Sequence, residues 1–250
     1  MKNLILILFS SIVFFTSCNN GENVIDSPKQ SFDLNIEESV TGIQFNIAGK
    51  VFIDEGNEQS FVIETQKEVM DHLTYEVQNG VLIVSLDKNF SQYDFNLNVT
   101  VPKLTEVSLN GSGDIRTYDL NTEGETLEVN LIGSGTIVFE DATSATTAIE
   151  ILLEGTGDVS ISKIASNEVS IISRGSGEIE LSGTSQSLEA MLEGSGELEA
   201  GELETKNVTL SNSGSGDVHV YCTDTLSIKN EGSSDIKVDG NPSTIVRNRN

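Results

Sequence analysis

The chain contains no tryptophan and only four tyrosines among its 250 residues. It therefore lacks the flat aromatic platforms on which a sugar-cleaving groove seats its substrate. Arginine is nearly as scarce, since only Arg116 and Arg174 precede Arg247 and Arg249. Glycan cleavage on an elongated β scaffold needs a paired-carboxyl site. Acid pairs abound here but no spacing singles one out, so no catalytic residue is assigned. Basic side chains number 14 against 39 acidic ones, a formal net charge of −25. That balance excludes nucleic acid as a partner, because the phosphate backbone would be repelled, and it disfavours docking on anionic lipid. Cysteine occurs twice, as Cys18 and Cys222. With Cys18 assigned to the leader junction, Cys222 has no intramolecular partner and reads as a small packing residue. The two histidines, His72 and His219, are far apart in sequence and form no metal ladder.

Long apolar runs are also missing, with one exception at the start. Lys2 precedes Leu4 to Phe15, which is interrupted only by Ser10 and Ser11. A stretch this short is a signal peptide rather than a membrane span. Thr16-Ser17-Cys18 closes it and resembles a bacterial lipobox, with Phe15 where leucine is usual. The resemblance implies cleavage after residue 17 and a lipid on Cys18, hence membrane attachment in a bacterial cell envelope, the outer membrane in particular. Residues 18–30 then form a polar tether.

The folded body divides into a strand-rich part, residues 31–104, and a repeat region, residues 105–245, followed by a tail at 246–250. In the first part, Ile43, Phe45, Ile47, Val51 and Ile53 alternate with polar residues, as do Tyr93 to Val101. Asn79-Gly80 between two such runs predicts a tight hairpin turn. Val81 to Leu86 reads as a buried strand, and Gln66 to Leu73 as a single turn of helix.

A Gly-Ser-Gly-Asp motif, or a close variant, begins at Gly111, Gly133, Gly155, Gly175, Gly194, Gly214 and Gly232, with spacings of 22, 22, 20, 19, 20 and 18 residues. Repetition at such a period marks stacked coils. Aligned on the first glycine, the residues six, four and two places before it, and four and six places after it, are mostly Val, Ile and Leu. Each coil is thus a strand, a glycine corner and a second strand, with inward positions at period 2. The prediction is an all-β protein, a parallel right-handed β-helix (solenoid) with coils of about 20 residues. Leu120, Ala142, Ile164 and Leu203 supply an apolar residue to a short third side. The glycines turn the chain, and the column of Ser and Thr between them, starting at Ser112, stacks hydroxyls from coil to coil.

Leu109 to Ile115 (L-x-G-S-G-D-I), the preceding Val99 to Leu104, and the stretch from Val220 to Pro242 together resemble the bacterial family called "putative auto-transporter adhesin, head GIN domain". The resemblance spans about residues 32–245. It implies a secreted or lipid-anchored β-solenoid acting in adhesion, or in attachment to a glycan or envelope protein, and not as an enzyme. Relatives often add a further Gly-Ser-Gly coil, so the last coil here is expected to be open or covered by the Arg247 to Arg249 tail.

Two surface features carry functional expectations. Asp114, Asp158, Glu178, Glu197, Asp217 and Asp235 form an outward acidic column, with Thr136 at the one neutral place. Calcium bridging the column is one reading, which would make the protein a cation-binding envelope scaffold. A solvated face that blocks aggregation is the plainer one and needs no cofactor. Ile132, Leu152, Ile172 and Met191 lie just before the motif in four successive coils, on the solvent side. They form either a binding patch or the seat on which residues 31–104 pack.

Overall fold

Alternating branched apolar and polar residues give strands almost throughout, because each strand then has one face to bury. The computed structural model describes residues 25, 27–118, 122, 124–141 and 145–248. The leader, Cys18, Leu120 and Ala142 lie outside the described residues. Among the described residues, no helix is long and apolar enough to cross a membrane.

The N-terminal part holds β1 (Lys29–Asp33), β2 (Gly42–Phe45), β3 (Lys50–Glu55), β4 (Ser60–Gln66), α1 (Lys67–Met70), β5 (Leu73–Gln78), β6 (Val81–Leu86) and β7 (Phe95–Val101). The expected hairpin is present: Asn79 (φ 53°) and Gly80 (φ 84°) join β5 to β6, with Gln78 opposite Val81. Positive φ at both turn residues matches the twist of the flanking strands. The helix shrinks to the four residues of α1. β6 is only half buried: Leu82 and Val84 are enclosed in the core and Leu86 packs against it, while Val81, Ile83 and Ser85 lie on the other side of the strand.

The repeat region continues as β8 (Glu106–Gly111), β9 (Asp114–Tyr118), β10 (Thr126–Gly133), β11 (Thr136–Phe139), β12 (Ala145–Gly155), β13 (Asp158–Gly175), β14 (Glu178–Gly194), β15 (Glu197–Asn212), β16 (Val218–Asn230), β17 (Ile236–Gly240) and β18 (Thr244–Asn248). Successive coils pair in parallel with the motif glycines in register, as in Gly111 with Gly133, Gly133 with Gly155 and Gly155 with Gly175. The predicted solenoid and its inward columns are therefore present. Leu127, Ile149, Val169, Leu188, Val208 and Leu226 are all buried, as are Ile115, Ile137, Val159, Ile179, Leu198 and Val218.

Stack order departs from chain order at the N-terminal end. β2 lies between β6 and β8, and β3 between β7 and β9, all parallel. The coil made by β2 and β3 is thus held between a later coil and the first repeat. Not all of this part is parallel: besides the expected β5–β6 hairpin, β4 runs antiparallel on β7 and β1 on β4. These strands close an end that would otherwise present open edges. The inserted coil carries a further, worn copy of the corner. Lys50 pairs with Asp114, and the Asp114 N–H donates to the carbonyl of Gly49 at 2.8 Å, so Ile47-Ala48-Gly49-Lys50 stands under Gly-Ser-Gly-Asp.

The glycines serve clearance as well as turning. Gly133 has φ 138°, and a Cβ there would sit 2.2 Å from the Gly111 carbonyl oxygen; at Gly177 it would sit 1.7 Å from that of Gly157. Corners therefore stack backbone on backbone, with the Thr156 N–H donating to Gly133 O and the Ser176 N–H to Gly155 O, both at 2.8 Å. The hydroxyls between the glycines are exposed, and among the described residues only Ser195 and Ser215 bond to each other, at 3.2 Å.

A second polar column, inside the coil, is not visible as a motif. Thr146, Ser166, Ser185, Thr205 and Cys222 stand in register along the third side, and all are buried. Their side chains bond nearby backbone carbonyls: Ser185 to Ser187 O at 2.8 Å, Thr205 to Leu203 O at 3.1 Å, Cys222 to Thr225 O at 3.3 Å. Cys222 is one member of this column, and burial pushes its thiol up from its ordinary pKa. Near the C-terminal end asparagine replaces leucine inside the corner. Asn212 donates to Asn230 Oδ1 (3.0 Å) and Ser234 Oγ (2.7 Å), while its own Oδ1 accepts the Gly214 N–H at 3.1 Å.

Candidate binding face

Strand alternation sends every second residue of β8, β10, β12 and the matching parts of β13 to β16 outward. The parallel register then lines these residues into columns. The central column reads Gln44, Ser108, Asn130, Leu152, Ile172, Met191, Ser211 and Lys229. Leu152 and Ile172 are half-buried, and Met191 is 43% exposed. Ile132 does not belong to this column: it pairs with Glu154 and Asn110 in the next one, at 44% exposure. The expected single patch is thus a three-residue stripe with Ile132 on its diagonal. Residues 31–104 do not cover it, because they add to the end of the stack rather than to this side.

Carboxylates flank the stripe on both sides. On one side Glu106, Glu128, Glu150 and Glu189 hold the adjacent column, interrupted by Ser170. On the other, Arg174 bridges Glu154 (2.9 Å) and Glu193 (3.4 Å), and the bond to Glu154 raises its pKa. A shallow groove of about 120 Å³ runs between Glu128, Glu150 and the Leu152–Ile172 edge. Toward the N-terminal end the same face is more polar, with Ile83 beside Gln44 at the end of the central column, Asn110 donating to Asn46 Oδ1 (2.8 Å) and Asn46 to Ser85 Oγ (2.9 Å).

The acidic column at the glycine corner lies where expected, with Asp158, Glu178, Glu197, Asp217 and Asp235 exposed and Asp114 half-buried. Part of it serves the backbone: Asp158 Oδ1 accepts the Glu178 N–H at 3.0 Å, and Asp217 Oδ1 the Asp235 N–H at 3.4 Å. Partial desolvation, then Glu197 and Asp158, push the Glu178 carboxyl above its ordinary range. Among the described residues, no three His, Cys, Asp or Glu side chains converge as ligands for one ion.

One charged cluster was missed in the sequence. His219 Nδ1 lies 2.6 Å from Glu199 and its Nε2 2.7 Å from Asp239, three side chains from three successive coils. Gly201 makes room for the imidazole, since a Cβ there would meet its ring at 2.2 Å. The hydrogen bond from His219, then Lys237, holds the Asp239 carboxyl below the usual carboxylate range. Only the register of β15, β16 and β17 joins residues 20 apart in this way.

These features define an acidic β-solenoid with columned outer faces, capped at its N-terminal end. The chain belongs to the family described as "putative auto-transporter adhesin, head GIN domain", whose model matches residues 40–242. That family is adhesin-like and associated with the cell envelope or surface. No curated protein matches the sequence. Among solved structures, the chain is similar to a "putative lipid binding protein" from Parabacteroides distasonis ATCC 8503, at 20% identity and TM-score 0.72, covering 89% of this chain and 95% of that one. It is also similar to a "putative adhesin" from Bacteroides fragilis NCTC 9343, at 21% identity and TM-score 0.56, covering 88% and 97%. A "putative adhesin" from Parabacteroides merdae ATCC 43184 matches at 15% identity and TM-score 0.63, over 90% and 98%. At these identities the likeness establishes the shared fold.

Proposed function

We propose that the protein is a non-catalytic, adhesion-type binding module of the cell envelope, tethered by a lipid on Cys18, with the outer face of β10, β12, β13 and β14 as its binding surface. The observation that carries this reading is an uncovered aliphatic stripe on a chain of net charge −25. Solvated acidic surfaces keep a protein soluble and need no such stripe, whereas an exposed apolar patch with a polar rim marks an interaction site. A protein partner fits better than a glycan, because the stripe is aliphatic and offers no aromatic ring. A lipid chain fits less well: a groove of about 120 Å³ is far below the ~300–1,000 Å³ of pockets that enclose small ligands. The test is retention of protein-coated beads on isolated envelopes. Ile172→Arg with Met191→Arg should abolish retention while leaving the thermal midpoint in place; undiminished retention would remove the face from consideration. The anchor is tested by fatty-acid labelling, which Cys18→Ala should eliminate.

The exposed carboxylates stacked at the corner, where desolvation and then Glu197 and Asp158 push the Glu178 carboxyl up, support a second reading, calcium bridging of the corner column as part of an envelope scaffold. Calcium titration should then raise the thermal midpoint and chelation lower it; a midpoint indifferent to both refutes the bridging.

A further inference from the structure

We infer that the partner segment taken by this face is a cationic amphipathic helix lying along the solenoid axis. The inference rests on the reading of the stripe as the binding surface and adds the chemistry of its occupant.

Charge decides the first half. Glu128, Glu150 and Glu189 border the stripe, and none of them has a basic partner among the described residues. Burying the stripe under a neutral or acidic partner would strand these carboxylates against a low-dielectric surface, which is costly without pairing. A partner with lysine or arginine beside its apolar line pairs them instead. The opposite border needs less compensation, since Arg174 already sits between Glu154 and Glu193. A second copy of this chain, at net −25, and an anionic lipid headgroup both carry the wrong sign.

Spacing decides the second half. Leu152, Ile172 and Met191 occupy adjacent parallel strands, about 4.8 Å apart along the axis. A helix laid along that axis presents one side chain per turn at about 5.4 Å, so it drifts by only about 0.6 Å per coil. An extended segment presents same-side residues about 6.6 Å apart and drifts nearly 2 Å per coil, losing registration within three coils. Helices of this kind bind apolar grooves through residues at i, i+3, i+4 and i+7. Met191 adds an adaptable, polarizable side chain that repacks around different apolar anchors.

The experiment uses the folded chain and three labelled peptides of about five helical turns, with binding read by fluorescence anisotropy. The first is an amphipathic helix of leucine and lysine, the second replaces its lysines by glutamate, and the third keeps the lysines but replaces leucine by serine. The leucine–lysine peptide should bind at least about tenfold tighter than either control. Glu128→Gln with Glu150→Gln should weaken it several-fold and flatten its salt dependence. Equal binding of the leucine–glutamate peptide, or no effect of the Gln pair, overturns the cationic partner while leaving the face intact. Equal binding of the lysine–serine peptide reduces the effect to net charge and overturns the inference too. If Ile172→Arg with Met191→Arg leaves the leucine–lysine affinity unchanged, the face itself is wrong. The substituted side chains all point outward, and a thermal midpoint no lower than the parent's confirms that each variant is folded.

Discussion

Thr117 stands inside the coil between Ile53 and Phe139, fully buried, and its hydroxyl has no hydrogen-bond partner. A buried unpaired hydroxyl costs about 1–3 kcal/mol, and valine has nearly the same shape. Thr117→Val is therefore expected to stabilise the protein by about 1 kcal/mol in urea unfolding; a loss instead would mean that the hydroxyl is used. Glu178 carries the opposite burden, in solvent. Its carboxyl is pushed up by partial desolvation and by Glu197 and Asp158, so the folded state favours its protonated form. The sign follows: its contribution is most favourable below the ordinary glutamate range and is lost as pH rises through the raised value. Glu178→Gln should thus gain a few tenths of a kcal/mol at neutral pH, as screened surface charges do. The gain should fade as pH drops from neutral to well below the ordinary glutamate range, where the carboxyl is protonated and both side chains are neutral. Equal thermal shifts at the two pH values would dissociate the gain from charge.

At the scale of the element, the corner separates two uses of glycine. Gly111 has open space around a would-be Cβ but a φ of 141°, whereas a Cβ at Gly177 would lie 1.7 Å from the Gly157 carbonyl oxygen. Backbone strain alone costs of order 1–3 kcal/mol, while a backbone clash must separate two coils. Gly177→Ala should accordingly cost more than Gly111→Ala, at least about 3 kcal/mol, in parallel denaturant titrations; equal losses would deny the clearance role. The last coil is held differently. Asp239 is kept below the usual carboxylate range by His219 and Lys237, so its stabilising share is present above that range and is lost as pH falls through the lowered value. Acid below the ordinary aspartate range should then loosen β17 before β13, read as earlier amide exchange at Lys237–Asp239 than at Val159–Ile161. Asp239→Asn should erase that pH dependence.

For the whole molecule, columns of carboxylates one coil apart set a general electrostatic load. At about 4.8 Å their spacing is well inside the Debye length of ~10 Å at 0.1 M salt. Raising salt to about 1 M, where screening acts within ~3 Å, should lift the thermal midpoint by a few degrees, the shift that about 1 kcal/mol produces in a protein of this size. An unchanged midpoint would show that the columns are already neutralised. Asymmetry of the ends is the other whole-molecule property. Antiparallel β1, β4 and β5 close one end, so the repeat coils project as a rod with free sides. An interaction surface on such a rod lies along its flank, which is where the aliphatic stripe is found.

The repeat coils were readable from residues alone because inward and outward positions alternate with period 2 and the glycines mark every corner. Leu127, Val129 and Ile137, for example, are buried as their parity requires. The family was readable for the same reason. What the sequence could not decide is which equivalent strands become neighbours. Parallel stacking leaves each strand's pattern unchanged whatever its place in the stack, so nothing in Ile43 or Val51 reveals that their coil sits between β6–β7 and β8–β9. The column of Thr146, Ser166, Ser185, Thr205 and Cys222 was hidden likewise, since loops of unequal length separate its members. Register also removed Ile132 from the stripe and brought His219 between Glu199 and Asp239. Composition and period thus determined the solenoid and its acidic character. Only the tertiary stack decided that Leu152, Ile172 and Met191 remain uncovered, because exposure depends on where the capping strands pack.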